Sequence, residues 1–409
     1  MLAVGLAGCA STTGSPGASS SVGASGARPS TSLAPTPSAM PTSKPSPTTP
    51  PPLSSVATSG MHTARSAATA TLLKNGKVLI AGGAKRENLT ENVYASAELY
   101  DPATGKFSAT GSMNSARSYA TAALLSDGRV LIAGGEGCSN RRSCDVASVS
   151  LQTLASAELY DPATGKFTPT GSMTGGRHYG ASALLPNGRV LLAGGDKCAE
   201  LYDPNSGKFA RTGKPTVQSS YNTVTLLPNG KVLVTEQSAS LDTIAQLYDV
   251  ASGAFATVSL ALPTGTKPVQ YNGVTISRPV PSAATLLNDG RVLLFEGGYL
   301  ETYDPASGAC ADAGFISPAG GWVYPTATVM ADGRVLFVGG YLEDPAGGAR
   351  TATNTAVLYD PTGGPSRTGS ASADRVWQTA TLLPDGSVLI AGGEDVHGNP
   401  LATAELFKP

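Results

Sequence analysis

Seven Asn-Gly or Asp-Gly pairs, each leading into a short apolar run that usually ends in Gly-Gly, recur along these 409 residues. They are Asn75-Gly76, Asp127-Gly128, Asn187-Gly188, Asn229-Gly230, Asp289-Gly290, Asp332-Gly333 and Asp385-Gly386. Their spacings of 52, 60, 42, 60, 43 and 53 residues match the length of one four-stranded propeller blade. The repeat therefore predicts an all-β chain, a seven-bladed β-propeller, but names no biochemical function.

The second repeat shows the unit most clearly, in Ala116 to Gly135 and Ala155 to Met173. Asp127-Gly128 supplies the positive-φ residues of a tight hairpin between strands a and b. Asp161-Pro162 to Gly165 turns strand c into strand d, with proline presetting φ and glycine taking the left-handed position. Strand a is built of small residues, as at Ala67 to Thr71, Ala120 to Ala123 and Gly180 to Ala183, because seven such strands converge on one axis. Gly82-Gly83, Gly134-Gly135, Gly194-Gly195, Gly297-Gly298, Gly339-Gly340 and Gly392-Gly393 close strand b where neighbouring backbone comes near, and Thr235-Glu236 breaks the rule. The tyrosines of the Tyr-Asp pairs (100, 160, 202, 248, 303 and 359) and the phenylalanines opening strand d (107, 167, 209 and 255) are expected to pack between blades.

The last repeat, Arg375 to Phe407, supplies only strands a, b and c. The missing strand is at the other end of the chain. Val56 to Arg65 aligns with Phe107 to Arg117 apart from a one-residue gap, so residues 53 to 61 are predicted to be strand d of blade 7 and to close the ring. Closure would remove exposed edges.

Domain organisation follows. Residues 53–409 are the propeller, and 10–52 are almost entirely Ser, Thr, Pro, Ala and Gly, a composition that buries no core and predicts a disordered linker. Leu6-Ala7-Gly8-Cys9 resembles the lipobox of bacterial lipoproteins, in which Cys9 would be acylated. Met1 to Gly5 is too short for a signal peptide and lacks its positive charge, so either the start lies upstream, the reading we favour, or the match is accidental. A lipid anchor at Cys9 and a coil spanning roughly 35 to 40 Å would hold an exported propeller off a bacterial envelope membrane; without the anchor it would be secreted. An exported setting permits a disulfide between Cys138 and Cys144, while Cys198 and Cys310 fall in different blades. With 28 basic and 29 acidic residues and no basic stripe, nucleic acid is excluded as a partner, and a monomer is expected.

Strand alternation places the a-b and c-d turns on one face and the d-a and b-c loops on the other. Long b-c loops fall on blades 6, 7, 1 and 2 (341–355, 394–403, 84–96 and 136–156), forming one wall. Eleven residues before the turn glycines stand Arg65, Arg117, Arg177, Ser219, Pro279, Trp322 and Arg375; nine before stand Ala67, Tyr119, Tyr179, Tyr221, Pro281, Tyr324 and Trp377, with His178 beside Tyr179. A rim of arginines and aromatics would suit acidic peptide, carboxylate or sugar ligands. The competing reading makes these residues cement, with Glu136, Asp196 and Glu394 neutralising Arg117, Arg177 and Arg375 between blades.

The Gly-Gly, Tyr-Asp-Pro and Asp-Gly-Arg-Val elements resemble kelch repeats and the propeller domain of galactose oxidase and its bacterial relatives, across essentially all of 53–409. In kelch propellers arginines opening strand a line a peptide pocket, and Arg65, Arg117, Arg177 and Arg375 match that position, so the resemblance implies a binding module. Tyr119 resembles the first tyrosine of the galactose oxidase copper site. The rest of that pattern is missing: blade 1 has Ala67 and no cysteine in the matching loop, no Tyr-His dipeptide exists, and only His62, His178 and His397 are present. Copper chemistry is therefore not expected, nor is any other metal or cofactor.

Three functions are carried forward. The favoured one is a noncatalytic, tethered propeller whose loop face binds a protein or glycan. A carbohydrate-active enzyme of epimerase or glycosidase type would draw its acid and base from Glu136, Asp196, Glu394 and Asp395. A structural or assembly platform is the third.

Overall fold

The computed structural model describes residues 53–87, 90–139, 141, 143–145, 150–195, 198–215, 222–237, 243–258, 269–271, 274–276, 283–317, 321–343 and 349–408. The expected linker, Cys9, Asp196 and Tyr221 lie outside them. All regular structure among them is β-strand, joined antiparallel except at one isolated bridge. No helix there is long and apolar enough to cross a membrane.

Each Asx-Gly pair turns one short strand into the next. Sheet 2 runs a (Thr121–Leu124), b (Val130–Ala133), c (Ala157–Asp161) and d (Lys166–Pro169). Among the described residues the same order recurs seven times, in sheets whose first strands begin at Thr69, Thr121, Ala181, Asn222, Ala283, Thr326 and Thr379. We number the sheets 1 to 7 in that order. In sheet 7 the fourth strand is Ser55–Ala57, paired with Ala404–Phe407 through Ser55 to Phe407 and Ala57 to Glu405.

Packing follows the same sequence logic. The b strands of sheets 1, 2, 3, 6 and 7 are apolar at every position, as in Val78–Ala81 and Val388–Ala391, and are buried throughout, which requires cover on both faces. Buried clusters form between consecutive sheets. Leu79 of sheet 1 meets Val130 and Ile132 of sheet 2, and Val78 and Ile80 of sheet 1 meet Leu389 and Ala391 of sheet 7.

Most tyrosines of the Tyr-Asp pairs add a polar stitch. Tyr160 is fully buried, its ring lies 4.8 Å from that of Phe167 on the facing strand d, and its hydroxyl bonds Thr110 of the preceding sheet at 2.9 Å. Tyr202 with Thr170 and Tyr248 with Thr212 repeat the bond. The phenol therefore buries a large ring without leaving its hydroxyl unsatisfied.

Some of the expected loops are themselves strands. Ala84–Glu87, Thr90–Tyr94 and Ser143–Asp145 make one three-stranded sheet shared by units 1 and 2. Ala116–Ser118, Glu136–Cys138 and Gln152–Thr153 make another within unit 2. Cys138 is disulfide-bonded; the side chain of its expected partner Cys144 lies outside the described residues. Cys198 and Cys310 are half-buried free thiols.

Candidate functional site

The two rows of residues that open strand a separate completely. Arg65, Arg117, Arg177 and Arg375 are all at most 1% exposed, inside the sheets rather than on a rim. Each guanidinium meets a strand-c glutamate of its own sheet: Glu98 at 3.1 Å, Glu158 at 3.1 Å, Glu200 at 2.6 Å and Glu405 at 2.7 Å. Each also donates through Nη1 to the first glycine of its own Gly-Gly, as from Arg65 to Gly82 O at 2.6 Å and from Arg117 to Gly134 O at 2.7 Å. Burial pushes the Arg117 guanidinium below the usual arginine value, against the opposing charge of Glu158.

The glutamates do more than neutralise. Glu98 accepts the backbone N–H groups of His62 and Thr63, and Glu158 those of Asn114 and Ser115, so each clamps the segment entering its sheet. The backbone carbonyl of each arginine completes the clasp: Arg117 O accepts from Gly83 of sheet 1, Arg177 O from Gly135 and Arg65 O from Gly393. The ion pairs expected between blades thus lie within single sheets, and only the arginine carbonyls reach across to the neighbouring sheet. Glu136 and Glu394 are not the partners in those pairs, and Asp196 lies outside the described residues.

Trp322 is corrected as well. It occupies the arginine position of sheet 6, is fully buried, and its indole N–H donates to Gly339 O at 2.7 Å, as an arginine Nη1 does elsewhere. Val357 stands in that sheet where the four sheets with arginine have glutamate. The indole carries no charge and needs no anion.

The second row behaves differently. Ala67, Tyr119, Tyr179, Tyr324 and Trp377 all have φ between 52° and 57°, and no other described non-glycine residue is left-handed. Three backbone bonds link them from sheet to sheet: Ala67 N–H to Trp377 O, Tyr119 N–H to Ala67 O, and Tyr179 N–H to Tyr119 O. Left-handed backbone costs an L-residue about 1–2 kcal/mol, yet Ala67 adopts it without an aromatic ring. The conformation belongs to the backbone linkage, and the choice of ring is additional.

The rings form one half-exposed platform. Tyr119 and Tyr179 lie 4.2 Å apart, Trp377 is 5.7 Å from Tyr119 and 5.3 Å from Tyr324, and Tyr341 adds an edge at 6.5 Å. The Arg350 guanidinium sits 5.7 Å from the centre of the Tyr324 ring and pairs with Glu343. Ala67, the one small member, lets Trp377 of sheet 7 reach Tyr119 of sheet 2.

Carboxylates surround this platform unequally. Glu394 is 7% exposed and accepts from Ser66 Oγ at 2.6 Å, sealing the junction of sheets 7 and 1. Asp395 caps a turn by accepting from the N–H groups of His397 and Asn399, so it has a structural task. Glu136 remains half-exposed, with Oε1 3.4 Å from Nε2 of His178, whose ring stands edge-on to Tyr179 at 4.9 Å.

No family model matches the chain, and no curated protein matches it in sequence. Among solved structures it is similar to a novel fungal alcohol oxidase of the AA5 family in complex with copper, with 17% identity and a TM-score of 0.64, over 87% of this chain and 76% of that one. It is also similar to YjhT, with 14% identity and a TM-score of 0.54, over 85% of this chain and 95% of that one. Likeness at this identity establishes an all-β, propeller-type fold and leaves activity open.

Proposed function

We propose that the seven sheets are the blades of a closed propeller and that the platform of Tyr119, Tyr179, Tyr324 and Trp377 binds a carbohydrate. Closure is supported by the pairing of Ser55–Ala57 with Ala404–Phe407 and by the apolar cluster shared between sheets 7 and 1. The observation that carries the ligand reading is the separation of the two rows. With the four strand-a arginines internal and Arg350 paired with Glu343, the acidic-ligand chemistry loses most of its cations and stacking chemistry remains. Half-exposed tyrosine and tryptophan faces suit the C–H faces of pyranose rings, and nearby carboxylates and amides supply orientation.

Binding is favoured over catalysis on the carboxylates. A glycosidase needs two of them facing a sugar at roughly 5 to 10 Å, and of those described here Glu394 and Asp395 are committed to structure. Copper does not fit either. Around Tyr119 stand Tyr179 and Trp377, no group of three or more His, Cys, Asp or Glu that could hold a metal is found among the described residues, and His178 is engaged by Glu136 and Thr153. The lipobox-like Leu6 to Cys9 and the composition of residues 10–52 support an exported protein, tethered through Cys9 or secreted.

The test uses the two tryptophans, of which Trp322 is fully buried and Trp377 half-exposed. A bound glycan should change Trp377 fluorescence, and Trp377→Ala should abolish glycan binding on an array while the melting temperature stays within a few degrees. Ala67 already shows that alanine tolerates this backbone. Loss of the fold in Trp377→Ala, or unchanged binding, would refute the reading.

A further inference from the structure

We propose that Glu136, held by His178, is the hydroxyl-reading carboxylate of this site and makes it select uncharged pyranosides over acid sugars. The inference rests on the carbohydrate reading above and adds the ligand's chemical class.

At two junctions the residue after Gly-Gly in one sheet meets the residue ten before the turn glycine of the next. At the junction of sheets 7 and 1 these are Glu394 and Ser66, at 2.6 Å and buried. At the junction of sheets 2 and 3 they are Glu136 and His178, at 3.4 Å, with side chains 29% and 24% exposed. The same geometry is sealed by a serine in one place and left open with an imidazole in the other.

Glu136 is also fixed in place. Its backbone pairs with Ser118 on one side and Thr153 on the other, and the disulfide-bonded Cys138 lies two residues on. Thr153 Oγ1 approaches His178 Nδ1 at 3.4 Å. If that hydroxyl donates, neutral His178 carries its proton on Nε2 and points it at Glu136 Oε1. Oε1 is thereby occupied, and among the described residues nothing is bonded to the second oxygen, which is left for ligand hydroxyls.

His178 connects this acceptor to the platform, since its ring rests against Tyr179, which in turn touches Tyr119. A pyranose stacked on the tyrosines would present its edge hydroxyls toward Glu136. A carboxylate can accept from two neighbouring hydroxyls at once. The same negative charge opposes a uronic acid, because like charges brought together at a desolvated contact exclude the wrong ligand.

Calorimetric titration of the folded protein with methyl pyranosides of glucose, galactose, mannose and N-acetylglucosamine, and with methyl glucuronide, tests this. Wild-type protein should bind at least one neutral glycoside more tightly than the glucuronide. Glu136→Gln should weaken the neutral glycoside about tenfold and narrow its advantage over the glucuronide by a similar factor, with an unchanged melting temperature. Should Glu136→Gln fail to fold, His178→Gln and the salt dependence of glucuronide binding to wild type provide the reading: added salt should relieve its rejection. Binding of neutral glycosides with an unaltered neutral-to-acid ratio in Glu136→Gln, or with salt-independent rejection, overturns this inference alone. Binding of no pyranoside by wild type overturns the carbohydrate reading with it.

Discussion

Each charged clasp in this chain can be compared with an uncharged one that the chain itself carries. Arg117 and Glu158 are buried together, so Arg117→Ala strands a carboxylate that still clamps Asn114 and Ser115, and a loss of about 3–5 kcal/mol is expected. The double change Arg117→Trp with Glu158→Val copies Trp322 and Val357 of sheet 6 and should recover most of that loss in urea unfolding. Recovery would show that the clasp needs a donor to the glycine carbonyl and a filled interior, not a charge. The pH response of Glu98 gives an independent check. Burial works to raise its pKa, but hydrogen bonds from His62 and Thr63 and the charge of Arg65 outweigh burial and hold it below the ordinary carboxylate value. A depressed carboxylate contributes stability above its unfolded pKa, near 4.3, and that contribution is lost as pH falls through the folded pKa. The stability gap between wild type and Glu98→Gln should therefore shrink below about pH 4; a gap constant from pH 6 to pH 3 would contradict the assignment. These glutamates escaped sequence reasoning because they lie 23 to 41 residues from their arginines. The available signal was Ala-Glu-Leu-Tyr or Ala-Glu-Leu-Phe in the four repeats with arginine, and its absence in the repeat with Trp322.

At the level of the element, the opening of strand a explains why the two rows looked like one surface. In an extended strand positions two apart share a face, so Arg117 and Tyr119 should point the same way. The strand instead stops at Ser118, Tyr119 turns left-handed at φ 52°, and a new strand begins at Thr121. That break sends the arginine inward and leaves the aromatic half-exposed. Turn chemistry was legible because it is local: Asp127-Gly128 and its counterparts need only their own neighbours. The Gly-Gly clasp was legible as a close approach, though not in its partner. A Cβ on Gly134 would stand 2.3 Å from Arg177 O, whereas one on Gly188, also left-handed, would meet nothing within 4 Å. Gly134→Ala should thus cost on the order of 3 kcal/mol or more and Gly188→Ala about 1 kcal/mol. Equal losses in parallel melts would mean that backbone strain, rather than contact with the next sheet, fixes the glycines.

Across the whole molecule the decisive junction is the one between the two ends of the repeat array. A repeat chain left open would expose one apolar face of its first unit and one of its last. Here Val78 and Ile80 of sheet 1 are covered by Leu389 and Ala391, and Met61 joins the same cluster. The N-terminal segment runs across that junction. Its Leu53 N–H bonds Thr368 O, Ser55–Ala57 completes sheet 7, Met61 N–H bonds Ala402 O, and Arg65 O accepts from Gly393. Removing residues 53–61 along with everything before them would strip sheet 7 of its outer strand and delete two buried apolar side chains, Leu53 and Met61. At about 1.5–3 kcal/mol for each of those side chains, their burial alone gives a loss on the order of 3–6 kcal/mol. Spread over some 350 residues that corresponds to a melting temperature lower by about 4–8 °C. Removal of residues 1–52 alone is the matching control and should leave the melt unchanged. If the longer truncation melts like the control, the ends do not close a ring, and the platform shared by sheets 6, 7, 1, 2 and 3 would need another explanation. If it melts earlier and also loses the fluorescence response of Trp377, the seam both holds the sheets together and positions the binding site, because Ala67 N–H bonds Trp377 O across that same junction.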